Sequence, residues 1–220
     1  MSSLPGATSR APRWRVCSYL VFVVLTVAVP ATAVDQYRAF WADAFHTGYM
    51  SASQVDTMVS QAVQGRYNVI IMEVLAYQDD TGSNSHGAFW KSSILPWAPA
   101  VTGSFDPLAY VVQRAHANGI EVDAWLIPYR VSSSWPPSGN SAIPSSGQWL
   151  MVPYANRGTV AKFDGTNYWL DPGSPDVQNY LAGIVTELVT NYEIDGIHWD
   201  YEIGSGGKNN WYYADASYDY

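Results

Sequence analysis

Hydrophobic and polar positions alternate along the chain in two rhythms. Four short runs are rich in β-formers: Tyr37–Phe45 (YRAFWADAF), Asn68–Ala76 (NVIIMEVLA), Glu121–Pro128 (EVDAWLIP) and Gly196–Glu202 (GIHWDYE). Several are apolar on both faces, the pattern of strands buried in a parallel sheet. Helical periodicity fills the spaces between them. In Ser51–Gly65, Ser51 and Gln54 form a capping box, Val55, Met58, Val59 and Val63 form an apolar stripe, and Gly65 is the stop. Asp106–Asn118 opens with a capping Asp106 and Pro107 in the first turn, and Gly119 follows its end. Ser174–Tyr192 opens in the same way, with Ser174 and Pro175, and gathers Val177, Leu181, Ile184, Val185, Leu188 and Val189 on one side.

The order is therefore β-α-β-α-β-α-β, which predicts an α/β fold with a parallel sheet. A barrel and a doubly wound open sheet both satisfy it. The barrel is favoured because no glycine-rich phosphate loop follows the first strand. The long inserts, 77–104 and 129–173, also follow strands, where a (β/α)₈ TIM barrel builds its active-site face. A full barrel takes about 250 residues. Four βα units in 220 residues are thus expected to be the N-terminal half of a truncated barrel, with a dimerising half-barrel as the alternative.

The first 33 residues read differently. Arg10, Arg13 and Arg15 precede an uncharged run, Tyr19–Val29, and Ala31-Thr32-Ala33 offers a cleavage site. That is the grammar of a secretory signal peptide. The run is shorter than the ~20 residues a membrane span needs. The expected division is 1–33 signal peptide and 34–220 partial barrel domain, secreted or otherwise extracytoplasmic, with no membrane association after cleavage. The single Cys17 would leave with the peptide, so no thiol chemistry is expected of the mature chain. Loss of the three arginines leaves eight basic residues against nineteen acidic, a net charge of −11. Such a surface argues against nucleic acid as a partner.

Candidate chemistry concentrates in Asp195–Glu202, DGIHWDYE. Strand alternation places His198, Asp200 and Glu202 on one face, at the end of a strand where barrel enzymes carry catalytic groups. Two carboxylates and an imidazole on one face perturb each other's protonation, the division of labour that glycoside hydrolysis uses. A solvated strand end is the plainer alternative. His46 and His198 lack an evident third ligand, so neither a metal nor a cofactor is expected. His86, in a Gly/Ser/Asn loop, reads as solvated, and His116 as a surface helix residue. Trp90, Trp97, Trp135 and Trp149 in the inserts are either packing or sugar platforms.

Three stretches, 38–62, 105–131 and 169–201, resemble the glycosyl-hydrolase-like 10 family, whose members act on cell-wall glycans. The resemblance implies a (β/α)₈ barrel, a carbohydrate substrate, and Asp43 and His46 ending the first strand in the cleft. It puts Tyr129 and Arg130 after the third strand and Asp200 after the fourth. Two departures stand out. Glu73, in MEVLAYQDD, replaces a basic stretch usual at the second strand, and Asp200 is followed by Tyr201-Glu202-Ile203-Gly204 rather than by aromatics and proline. The latter makes DGIHWDYE similar to the fourth-strand motif of family 18 chitinases, in which the final Glu is the acid. Asp200 and Glu202 are thus the expected catalytic pair, with Asp43, His46, Glu73, Tyr129, Arg130 and His198 as substrate-binding residues. The expected function is an exported glycoside hydrolase acting on a polysaccharide or peptidoglycan glycan. A non-catalytic carbohydrate-binding barrel and an inactive fragment are the alternatives, and the oligomeric state is open.

Overall fold

The computed structural model describes residues 36–200, apart from Thr47 and Ser83. The expected signal peptide and Glu202 lie outside the described residues. Four strands form one parallel sheet: β1 (Ala39–Ala42), β2 (Val69–Leu75), β3 (Glu121–Leu126) and β7 (Gly196–Trp199), in that order across the sheet. Each falls inside a run predicted from the sequence. All seven residues of β2 are buried, as its unbroken apolar run requires of a central strand.

One face of the sheet carries Phe40, Ile70, Met72, Val74, Val122, Ala124, Leu126 and Ile197. They form a single core with helices α1 (Ala52–Gln64), α2 (Pro107–His116) and α3 (Pro175–Asn191). Burial of these apolar side chains is the main force holding helices to sheet. The intervening positions face the other way. Trp41 packs edge-on against both Trp125 and His198, with ring centroids 4.7 and 4.5 Å apart, and Tyr37 donates to Asp123 on the same face at 2.7 Å.

The helix ends show why the chain stops where it does. Ser51 caps α1 and Asp106 caps α2, each accepting from a backbone N–H three residues on. Gln54 reaches back to Met50 N rather than to the cap residue. At the far end of α1 the left-handed residue is Arg66, not Gly65. Gly65 is instead needed for room, since a Cβ there would meet the Tyr67 ring at 2.6 Å. Gly119 takes the left-handed conformation after α2, and Ile120 N closes back to Ala115 O. Ser174 is not bonded to α3 through its side chain. The stripe of α1 uses Ala62 where Val63 was expected, and Val63 points to solvent; Val189 of α3 is likewise exposed.

The second long insert is not a bare loop. It holds an antiparallel sheet of β4 (Arg130–Ser132), β6 (Tyr168–Leu170) and β5 (Leu150–Met151), in that order, and a short 3₁₀ turn at Tyr154–Asn156. Among the described residues, no helix is long and apolar enough to cross a membrane.

Candidate active site

Four charged residues converge at the C-terminal ends of the parallel strands. Asp43 follows β1, Glu73 lies two residues before the end of β2, Arg130 opens β4 just after β3, and Asp200 follows β7. The register slips between Glu73 and Leu75, so β2 is irregular where it reaches the site. Asp200 N donates to Leu126 O at 2.9 Å, extending the β3–β7 ladder to the carboxylate that the sequence singled out.

Asp43 organises the turn after β1. Its Oδ1 accepts from Phe45 N (2.9 Å) and His46 N (3.0 Å) and lies 2.8 Å from His46 Nδ1. His46 is otherwise exposed. The turn aims Ala44 N at Glu73, whose Oε2 accepts it at 2.7 Å. Tyr49, fully buried, donates to Glu73 O at 2.7 Å. Glu73 has no exposed surface, and its Oε1 has no hydrogen-bond partner among the described residues. Burial pushes its carboxyl up from the ordinary range to about 7. The Ala44 N–H and the Arg130 charge pull it back, while the negative charges of Asp43 and Asp200 push it further up. The site therefore holds one carboxyl part-protonated at neutral pH.

Arg130 is held from two sides. Its Nε donates to Ala76 O at 2.9 Å, and its guanidinium carbon stands 4.0 Å from the centre of the Tyr77 ring. The His86 ring stacks on the same Tyr77, 4.3 Å away and 4° from parallel. Two groups so near cannot share one face, so Tyr77 is sandwiched between them. His86 is not the solvated residue expected from its loop. Its Nδ1 lies 2.5 Å from Oδ1 of the fully buried Asp79, whose Oδ2 accepts from Ser132 and Thr81 at 2.5 Å each. Burial works against the Asp79 charge, but the bonds from His86, Ser132 and Thr81 outweigh it and hold the carboxyl below its usual range. The sequence offered one signal for this cluster: Tyr77 and Asp79 fall directly after a buried strand.

The other predicted residues sort as follows. His198 packs against Trp41 on the sheet face turned away from the helices. Tyr129 is half-buried between the main core and a small cluster of Ala76, Ile127, Met151 and Trp169. His116 lies at the surface, as its helix position implied, and pairs with Asp195 at 2.8 Å. Among the described residues, no group of three or more His, Cys, Asp and Glu side chains is placed to hold a metal ion. A groove of about 340 Å³ runs along β1 and α1 and includes Trp41, Asp43 and His46.

Such a sheet, with charged groups gathered at its strand ends, defines a parallel α/β fold of the type found in TIM-barrel glycoside hydrolases. α-L-Fucosidase isoenzyme 2 from Paenibacillus thiaminolyticus superposes with a TM-score of 0.52 at 18% identity, covering 75% of this chain and 23% of that one. Residues 36–216 match the Glycosyl hydrolase-like 10 family, and the chain belongs to it. Curated relatives include glycosyl hydrolase DigH of Escherichia coli, 36% identical over 120 residues, which are 51% of this chain and 27% of the relative. Glycosyl hydrolase YngK of Bacillus subtilis is 27% identical over 123 residues, 51% of this chain and 22% of the relative. The matched stretches thus span about a quarter of those proteins.

Proposed function

We propose that this chain supplies the catalytic cleft of an exported glycoside hydrolase acting on a polysaccharide or peptidoglycan glycan. Its sheet is read as four consecutive strands of a (β/α)₈ barrel. The observation that carries the reading is the convergence of Asp43, Glu73, Arg130 and Asp200 at the strand ends, where barrel enzymes place their chemistry. Membership of a glycosyl-hydrolase-like family supports it.

In this reading Asp200 is the essential carboxylate. It acts as nucleophile or stabilises the positive charge that develops on the sugar ring. Glu202, two residues further along, or a carboxylate on another strand gives the proton to the leaving oxygen. Glu73 is sealed from solvent, so it acts on the site through the charge it carries once its proton is lost. Arg130 offsets the negative charge of the three carboxyls. His46, Tyr129 and His198 are read as groups that orient the sugar.

Asp200→Asn keeps shape and removes charge. Turnover of a glycan should fall by about 10²–10⁴ while binding persists. Full turnover in that variant would overturn the assignment. If wild type and variants all bound a glycan without hydrolysing it, a carbohydrate-binding barrel would replace the enzyme. Export is tested separately: the secreted protein should begin at Val34, and recovery of Trp14 in it would refute cleavage after Ala33.

A further inference from the structure

A second, polar cavity is lined by none of the four charged residues and lies against the β4–β6–β5 sheet, whose Leu150 is among its walls. It has a volume of about 540 Å³ and is lined by Gln148, Trp149, Arg157, Thr159, Asp171 and Asp176 among others. That volume lies within the ~300–1,000 Å³ of small-ligand sites. We propose that it is a distal sugar subsite, engaging a part of the glycan chain remote from the bond to be cleaved. The proposal rests on the reading that the chain handles a glycan.

The lining has the chemistry that sugars need. A pyranose presents a ring of C–H groups and a rim of paired hydroxyls. The first is met by an aromatic face, the second by planar side chains with two adjacent donors or acceptors. Trp149 is half-buried beside Tyr180, ring centroids 5.5 Å apart, and its Nε1 donates to Asp176 Oδ2 across a long 3.4 Å. Arg157 supplies a fork of donors; Asp171 and Asp176 supply acceptors. Asp171 is fixed in place, with Oδ1 accepting from Gly173 N at 2.8 Å. Two carboxylates against one guanidinium disfavour a phosphate or other anion. The other insert tryptophans lack such a setting. Trp90 is buried with its Nε1 on Glu187, and Trp97 and Trp135 donate to the backbone carbonyls of Ser92 and Ser145.

The cavity is also wired to the cleft. Trp169 of β6 pairs with Arg130, and two residues later Asp171 lines the cavity. Leu170 N donates to Tyr129 O and Asp171 N to Trp149 O, both at 2.8 Å. One small sheet therefore bears the Arg130 end of the cleft and a wall of the cavity.

The test uses the full chain as wild type, Arg157→Ala, Asp176→Asn and Asp200→Asn. Calorimetric titrations with chitohexaose, cellohexaose and maltohexaose are compared with titrations by the corresponding disaccharides. Wild type and Asp200→Asn should bind at least one hexasaccharide more tightly than its disaccharide. Arg157→Ala and Asp176→Asn should weaken that hexasaccharide about tenfold, the loss of one charge-assisted hydrogen bond, and leave the disaccharide unchanged. Unchanged hexasaccharide affinity in both variants would overturn the subsite while leaving the glycosidase reading intact. Equal loss on both lengths would also overturn it, by assigning these residues to the primary site. If wild type bound no sugar of the panel, the subsite would fall, while the glycosidase reading stands or falls on the turnover of Asp200→Asn.

Discussion

Glu73→Gln isolates the buried carboxyl at the centre of the site. Glutamine has nearly the shape of the protonated acid and keeps an oxygen for Ala44 N. The folded protein holds the Glu73 proton up to about pH 7, against an ordinary value of 4.5. Below 4.5 both folded and unfolded chains carry the proton, and the group is neutral in its effect. Between 4.5 and 7 the unfolded chain gives up its proton while the folded chain keeps it. Folding stability therefore falls as pH rises through that window, then levels off. At about 1.36 kcal/mol per pH unit, the full loss is about 3 kcal/mol. Gln cannot ionise, so the variant should match wild type near pH 4.5 and exceed it by up to about 3 kcal/mol above pH 7. Urea unfolding of both proteins from pH 4 to 8 measures this, and taking the difference cancels the histidines that titrate in the same range. Parallel stability curves for the two proteins would refute the assignment of a raised Glu73 and the electrostatic role built on it.

Asp79→Ala would leave His86, Ser132 and Thr81 without their shared acceptor, and should cost at least about 2 kcal/mol in denaturant titration. Because the Asp79 carboxyl is held low, its contribution is present above the ordinary carboxylate range and lost as pH falls below it, so the wild-type advantage should vanish in strong acid. Gly87→Ala places a Cβ 2.7 Å from the backbone carbonyl of Trp97 at a φ of +74°, and should lower the melting temperature by more than a surface Gly→Ala change would. Leu108→Ala empties a fully buried position between α2 and the sheet and should cost about 2–5 kcal/mol by urea unfolding. Arg114→Ala breaks a half-exposed pair with Asp56 and should cost less than about 1 kcal/mol in the same measurement.

The parallel sheet was legible because its strands are short apolar runs separated by well-capped helices, so period and punctuation agreed. β4, β5 and β6 were not, since two- and three-residue strands carry no measurable alternation and their pairing depends on partners up to about forty positions away. Of the four charged site residues, only Asp200 stood out from strand alternation; Asp43 and Arg130 came from the family resemblance, and Glu73 drew notice as a departure from it. Neither route reaches His86, whose loop looks solvated from composition alone. Only tertiary stacking on Tyr77 and a bond to Asp79 draw it inward. Val63 was misplaced for a related reason: the α1 stripe is closed by the small Ala62, which hydrophobicity ranks below valine, and geometry prefers it.

Glu187 carries a consequence for the order in which the molecule is made. This one carboxylate, on α3, accepts from Trp90 Nε1, Ser92 Oγ, Ser93 N and Ser93 Oγ at 2.6–2.9 Å. The segment it fixes follows β2, some ninety-five residues earlier in the chain. On a ribosome, that segment emerges long before its anchor does, and at ~5–20 residues per second the gap lasts several seconds. The first three strands and two helices are local enough to assemble in that interval, whereas the segment held by Glu187 has to wait. Pulse-labelled hydrogen exchange during refolding should find the amides of β2 protected well before that of Ser93, with Glu187→Gln weakening protection at Ser93 alone. The contact between this segment and α3 is in this sense a late-closing seam, and during synthesis it stays open to a chaperone or a protease after the sheet has set.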